Sequence, residues 1–197
     1  MGLLTLAIPS RCDILIDMKL ELVKENDPIL KKKLTPFNFE DPVMDPHELV
    51  AGLQAVRKEN GGIGLAANQV GIDARVLVIG MGNFETDGVE DFEMAYFNPE
   101  VKSLMQGEIL MIEGCLSFPD LYIKVKRPQN MVMSWQDADQ KQWGERFMGM
   151  TSRIIQHELD HLDGITFIER ANSFHLEKAR KERKLTQRRR KRIDQAI

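Results

Sequence analysis

Residues 157–161 read His157-Glu158-Leu159-Asp160-His161. On an α-helix, positions i and i+4 share a face, so both imidazoles can reach one metal ion. Glu158 follows the first of them, where its carboxylate can hydrogen-bond a water at that ion and take its proton. The surrounding residues write the helix this needs. Thr151 is placed to cap it, Ile155, Leu159 and Leu162 form an apolar stripe, and Gly164 stops it. The bland alternative is a surface helix with two solvated histidines, but the apolar stripe marks a core helix instead.

Two imidazoles leave a third ligand to find. A metzincin would continue to a third histidine, but His161-Leu162-Asp163-Gly164-Ile165-Thr166-Phe167 ends in a residue that cannot ligate. Thermolysin-like enzymes take a downstream Glu, and Glu169, Glu177 and Glu182 are no convincing match. Upstream stands Cys115, in Glu113-Gly114-Cys115-Leu116-Ser117. Alone, a cysteine reads equally well as a small buried hydrophobe. Beside an HExxH that lacks a ligand, the balance tips to a thiolate completing a divalent site with one open position. Glu113 and Gln156 flank ligands and can orient them or pack as ordinary polar residues, while Asp160 faces away and anchors the helix.

Outward from this centre the chain reads as α+β. Residues 22–48 are polar and proline-punctuated, an irregular leading segment. Asp45-Pro46-His47-Glu48 then opens a helix with Asp45 as N-cap, Leu49, Val50, Leu53 and Val56 on one face, and Asn60-Gly61-Gly62 at its end. Val76–Ile79, Met94–Phe97, Ile109–Ile112 and Met131–Met133 are short apolar runs split by turn residues, and read as strands. The acidic stretch Gly82–Asp91 reads as a loop. A last helix from about Ser173 has few apolar residues after Leu176, so it is expected to project from the body or lie loosely on it. Strands grouped in the middle with helices around them indicate α+β, not repeated βαβ units.

The 197 residues suit one well-buried domain, with 43% hydrophobic and 29% charged residues. That composition excludes disordered and membrane classes. The net charge of −3 conceals an asymmetry. Residues 178–192 hold ten of the 27 Lys/Arg and one of the 30 Asp/Glu, leaving 17 against 29 elsewhere. An acidic body near −12 therefore carries a basic end of +9, shaped for an anionic partner. Two cysteines, Cys12 and Cys115, make no disulfide scaffold and fit a reducing compartment, with Cys12 read as a packed thiol. The opening MGLLTLAIP is too short for a signal sequence, Leu6 stands where myristoylation wants Ser or Thr, and no run approaches a membrane span. A cytoplasmic protein is expected, or an organellar one whose targeting peptide has been removed.

Gly62-Ile63-Gly64-Leu65-Ala66-Ala67-Asn68-Gln69 remains. Its small residues permit close backbone approach, and taken alone it reads as tight packing; it is no dinucleotide fingerprint, because no strand precedes it. Taken together, Gly62–Gln69, Glu113–Ser117 and Gln156–His161, in that order, resemble the three motifs of the peptide deformylase family. The resemblance spans roughly residues 20–170. It implies one α+β domain over 1–172 with antiparallel sheets around the HExxH helix, followed by a basic helix or tail at 173–197. It implies hydrolytic removal of the formyl group from the N-formylmethionine of nascent chains. It implies one divalent metal per chain, Fe²⁺ natively, with Zn²⁺, Ni²⁺ or Co²⁺ able to replace it.

Carried onto this sequence, the ligands are Cys115, His157 and His161. Glu158 serves as general base and then acid, and the side-chain amide of Gln69 and the backbone N–H of Leu116 stabilise charge on the formyl oxygen. The apolar slot for the substrate methionine takes Ile63, Gly64 and Ile154 as candidates, each of which could equally be plain core. Tyr122 stands where several deformylases carry a peptide-contacting Arg, which leaves the preference for downstream residues open. In this family a C-terminal helix can hold the enzyme on the ribosome, so the basic run 178–192 is a candidate for rRNA, a solvated helix being the alternative. Two rivals are an HExxH endopeptidase and an RNA- or ribosome-binding protein with a structural metal. The second needs a fourth protein ligand, and His47 and His175 lie outside the motifs.

Overall fold

Val76–Gly80 is apolar along its whole length, and a strand of that kind must be covered on both faces. It is. The computed structural model describes residues 19–80, 92–105 and 107–195, so Cys12 and the whole of the predicted loop Gly82–Asp91 lie outside the described residues. Val76–Gly80 is the second strand (β2) of a five-stranded antiparallel sheet with β1 (Gly64–Ala66), β3 (Glu93–Leu104), β6 (Asn130–Gln136) and β7 (Gln142–Met148), in the order β1-β2-β3-β6-β7. Alternate side chains go opposite ways. Val76 and Val78 meet helix α1 (Pro46–Glu59) through Leu49, Leu53 and Val56. Leu77 and Ile79 meet helix α2 (Gly149–Leu162) through Ile154, Ile155, Leu159 and Leu162.

A second sheet is the hairpin of β4 (Glu108–Cys115) and β5 (Phe118–Pro128). In β5 the alternation is regular: Leu121, Ile123 and Val125 are buried, and Tyr122, Lys124 and Lys126 are exposed. The buried side packs on Leu30, on Phe167 of the short helix α3 (Phe167–Arg170) and on Ala179 of α4 (Ser173–Asp194). Helix α2 thus lies between the five-stranded sheet and the hairpin, the α+β arrangement expected.

Helix α1 follows its sequence signals closely. Asp45 accepts from the amides of His47 and Glu48, and the end is a Schellman turn in which Gly62 N–H reaches Arg57 O and Gly61, at φ 67°, reaches Lys58 O. Two expectations need correction. Thr151 does not cap α2: the helix starts at Gly149 behind Met148, because Gly149 takes φ 58° and turns β7 straight into it. Helix α4 does not lie loosely either. It runs along β5, buries Ala179, and ties Arg183 to Glu25 and Arg190 to Asp120. Apolar counting missed this because the fastening is ionic.

A fully buried arginine braces the segment that enters the site. Arg57 donates to Gln54 Oε1, to the carbonyls of Gly62 (2.9 Å) and Gly80 (3.1 Å), and to Glu93 (2.7 Å). Gly80 must lack a side chain here, since a Cβ would sit 2.5 Å from Arg57 Nη2.

Candidate metal centre

The ligand atoms of Cys115, His157 and His161 lie within 4.8 Å of one another. Helix spacing sets the two histidines on one face of α2, their rings 5.2 Å apart. Cys115 ends β4, where a register shift between Glu113 and Cys115 leaves both directed at that face. Cys115 Sγ is 3.2 Å from His161 Nε2, and His157 Nδ1 is 2.9 Å from Glu113 Oε2. With Nδ1 given to Glu113, His157 offers Nε2 to an ion, the arrangement in which a carboxylate fixes tautomer and ring orientation. A thiolate and two imidazoles suit a borderline-soft divalent cation, and they leave a coordination position open. Burial pushes His161 well below its ordinary pKa, which favours the neutral imidazole that a ligand must be.

Behind the ligands runs a buried ionic network. Glu113 accepts from Arg127 Nε (2.7 Å) and Nη2 (3.0 Å) and from Arg153 Nη1 (2.7 Å). Arg127 also donates to Asp160 (2.7 Å), which Arg170 grips through Nη2 (2.6 Å) and Nε (3.1 Å). Burial alone would raise Glu113, but the hydrogen bonds from His157 and Arg127 outweigh it and hold the carboxyl well below the usual range. Asp160 faces away from the ligands as expected. Gln156 bonds the Pro128 carbonyl and Ser152, so it ties α2 to the hairpin and touches no ligand.

Glu158 stands next to the ligands, buried, with Oε2 lacking a partner in the structure. Burial pushes its carboxyl up to about 7, against the opposing pull of His157 and Arg127. An acid poised there can take and return a proton at neutral pH. Gly64 makes the room: a Cβ on it would fall 2.5 Å from Glu158 Oε1. Gln69 is held through Oε1 by the Ala66 amide (2.8 Å), and its Nε2 is aimed at Ser117 Oγ (3.1 Å) and Cys115 Sγ (3.5 Å).

Gln69, Cys115, His157 and Glu158 line a cavity of about 530 Å³. Ile63, Gly64, Leu116, Tyr122 and Ile154 all line it, so the structure gathers every residue the sequence proposed for the pocket around one space. Sequence reasoning missed Arg127 and Arg153. Both were accessible: Arg127 continues the inward parity of Leu121, Ile123 and Val125, and Arg153 lies one helical turn before His157.

The fold and the site together define a metal-dependent hydrolase with a pocket above a Cys/His/His centre. A family model for polypeptide deformylase matches residues 19–177. The chain is 36% identical to peptide deformylase of Zymomonas mobilis over 171 residues, covering 84% of this chain and 96% of that one. It is 38% identical to that of Dictyoglomus thermophilum over 151 residues, covering 77% and 92%. Among solved structures, a plant peptide deformylase superposes with a TM-score of 0.76 at 29% identity, covering 88% of this chain and 91% of that one. The Plasmodium falciparum peptide deformylase gives 0.74 at 31% identity, covering 86% and 96%. The chain belongs to the peptide deformylase family. It is a metal-dependent hydrolase that removes the N-formyl group from formyl-Met nascent peptides. None of the described helices is long and apolar enough to cross a membrane.

Proposed function

We propose that Cys115, His157 and His161 hold the metal, that Glu158 moves the protons, and that Gln69 and the Leu116 backbone N–H stabilise the charge on the formyl oxygen. One observation carries the assignment: a carboxylate with an unpartnered oxygen, buried beside a Cys/His/His cluster and lining a peptide-sized cavity. A divalent cation there supplies Lewis acidity, which makes water a competent nucleophile at neutral pH. Glu158 receives the proton that the water gives up on attacking the formyl carbon, then returns one to the departing amine. The Gln69 amide, fixed in advance by Ala66, donates where negative charge gathers. Ile63, Gly64 and Ile154 form the slot for the substrate methionine, and Tyr122 meets the peptide beyond it.

The native ion on this reading is Fe²⁺, with Zn²⁺, Ni²⁺ or Co²⁺ able to occupy the site in purified protein. The thiolate–imidazole donor set favours such borderline ions over Mg²⁺ or Ca²⁺. Residues 1–172 form the catalytic unit, and 173–197 a basic element that docks on ribosomal RNA in the cytoplasm, or in an organelle. Lys178, Lys181, Arg188, Arg189 and Arg192 recur at the spacing of one helix face, away from the Arg183 and Arg190 that grip the body.

Protein purified without oxygen, analysed for metal and assayed for formate release, tests the reading. Formate from formyl-Met-Ala-Ser, no cleavage of the unformylated peptide, and loss of activity on chelation with recovery on adding Fe²⁺ are expected. Cleavage of the unformylated peptide would make it an endopeptidase. Deleting 178–197 is expected to weaken ribosome binding at low salt and leave hydrolysis of the short peptide intact; equal ribosome binding by the truncated protein refutes the docking role.

A further inference from the structure

Asp120 is among the residues lining the substrate cavity and takes φ 63°, a left-handed conformation that Asp tolerates better than most residues. Arg190, from near the end of α4, lies against its carboxylate at 2.8–2.9 Å. The two side chains are covered very unequally. Asp120 is 15% exposed, whereas Arg190 is 64% exposed. At this edge of the cavity, then, an exposed guanidinium stands over a carboxylate that lines the cavity and is itself mostly covered. The rest of α4 explains how it gets there: Ala179 is buried against β5, Arg183 grips Glu25, and Arg190, seven residues further on, returns to the same side of the helix. Arg188, Arg189, Lys191 and Arg192 surround it in sequence.

We propose that Arg190, set over Asp120, is a specificity-determining residue that favours substrates carrying an acidic side chain shortly after the formyl-methionine. The pair works as a sign switch. Intact, it presents a cation to the substrate; without Arg190 it presents the uncovered carboxylate of Asp120; without Asp120 it presents a guanidinium with no internal counter-charge. The body beyond this helix is acidic, so the positive edge is a local feature and not an average of the surface. The proposal rests on the deformylase reading, and it concerns a side of α4 distinct from the one assigned to RNA.

The test is kcat/KM of the full, metal-loaded chain for formyl-Met-Ala-Asp and formyl-Met-Ala-Lys, with formyl-Met-Ala-Ser as the neutral reference. The wild type is expected to favour Asp over Lys roughly threefold to fivefold at low salt, the size of one partly exposed charge pair. That preference should vanish at high salt, where screening is complete. Arg190→Gln is expected to invert the order towards Lys, and Asp120→Asn to strengthen the preference for Asp. Opposite signs from the two halves of one pair are not produced by mere loosening of the cavity edge. Equal Asp/Lys ratios in all three proteins overturn the proposal, as does a preference that survives high salt. Failure of the wild type to hydrolyse even the Ser peptide would instead count against the deformylase reading.

Discussion

Replacing Gly64 with alanine adds one methyl group where the structure has no room for it. The new Cβ would lie 2.5 Å from Glu158 Oε1 and 2.9 Å from its Cδ and Cγ, whereas ordinary contacts begin at 3.4 Å. Gly64 is in β1, paired with Ile79, and Glu158 is on a buried helix, so neither backbone yields easily and the carboxylate must retreat by about 0.9 Å. A displacement of about 1 Å in a reacting group costs about 10²-fold in rate, or ~2.7 kcal/mol of barrier. Overpacking should also lower stability by about 1–3 kcal/mol. The Cys115, His157 and His161 donor atoms are not in the way, so metal content should hold at the wild-type level. The assay is kcat for formate release from formyl-Met-Ala-Ser, beside metal analysis and urea unfolding. A variant with full metal and kcat within twofold of wild type would refute the reasoning, because Glu158 would then not need the position Gly64 gives it.

Glu113→Gln leaves Arg127 and Arg153 buried without their shared anion, so urea unfolding should show a loss of about 3–5 kcal/mol. Because Glu113 also fixes His157, metal competition should show affinity lowered about 10–100-fold. Gln69→Ala should lower kcat about 10²–10³-fold with metal content unchanged, as measured by formate release and metal analysis. Glu93 tests linkage. Lys58 first, and Arg57 with it, hold its carboxyl below the ordinary value, so its stabilisation is present above about pH 4.3 and disappears as the pH falls through the lowered folded pKa. Glu93→Gln should thus cost about 1 kcal/mol at pH 7, discounted for its partial exposure, and the gap to wild type should close in acid.

Much of the site was legible because its spacing is enforced locally. An i, i+4 histidine pair can only share a helix face, and Asp45-Pro46 and Asn60-Gly61-Gly62 mark the limits of α1 through backbone chemistry that needs no partner. The long-range features were harder to see. Nothing local says that Glu113 will receive two arginines as well as His157, since Arg127 and Arg153 reach it from β5 and α2. The short β1 was hidden in a Gly/Ala run with no alternation, and β7 is exposed along nearly its whole length. The docking of α4 escaped for a related reason: Arg183 and Arg190 look like any other cations of the basic run until Glu25 and Asp120 are brought beneath them.

The central claim is that Glu158 carries protons for a reaction whose ion is held by other residues. Glu158→Gln keeps the shape and removes the base, so the comparison to make is formate release per bound metal in this variant and the wild type. The account predicts one metal per chain in both and a fall in kcat of about 10²–10⁴-fold in the variant. A Glu158→Gln protein that retains its metal and releases formate within a factor of about two of wild type would contradict it, since so small a change is far below what a general base contributes.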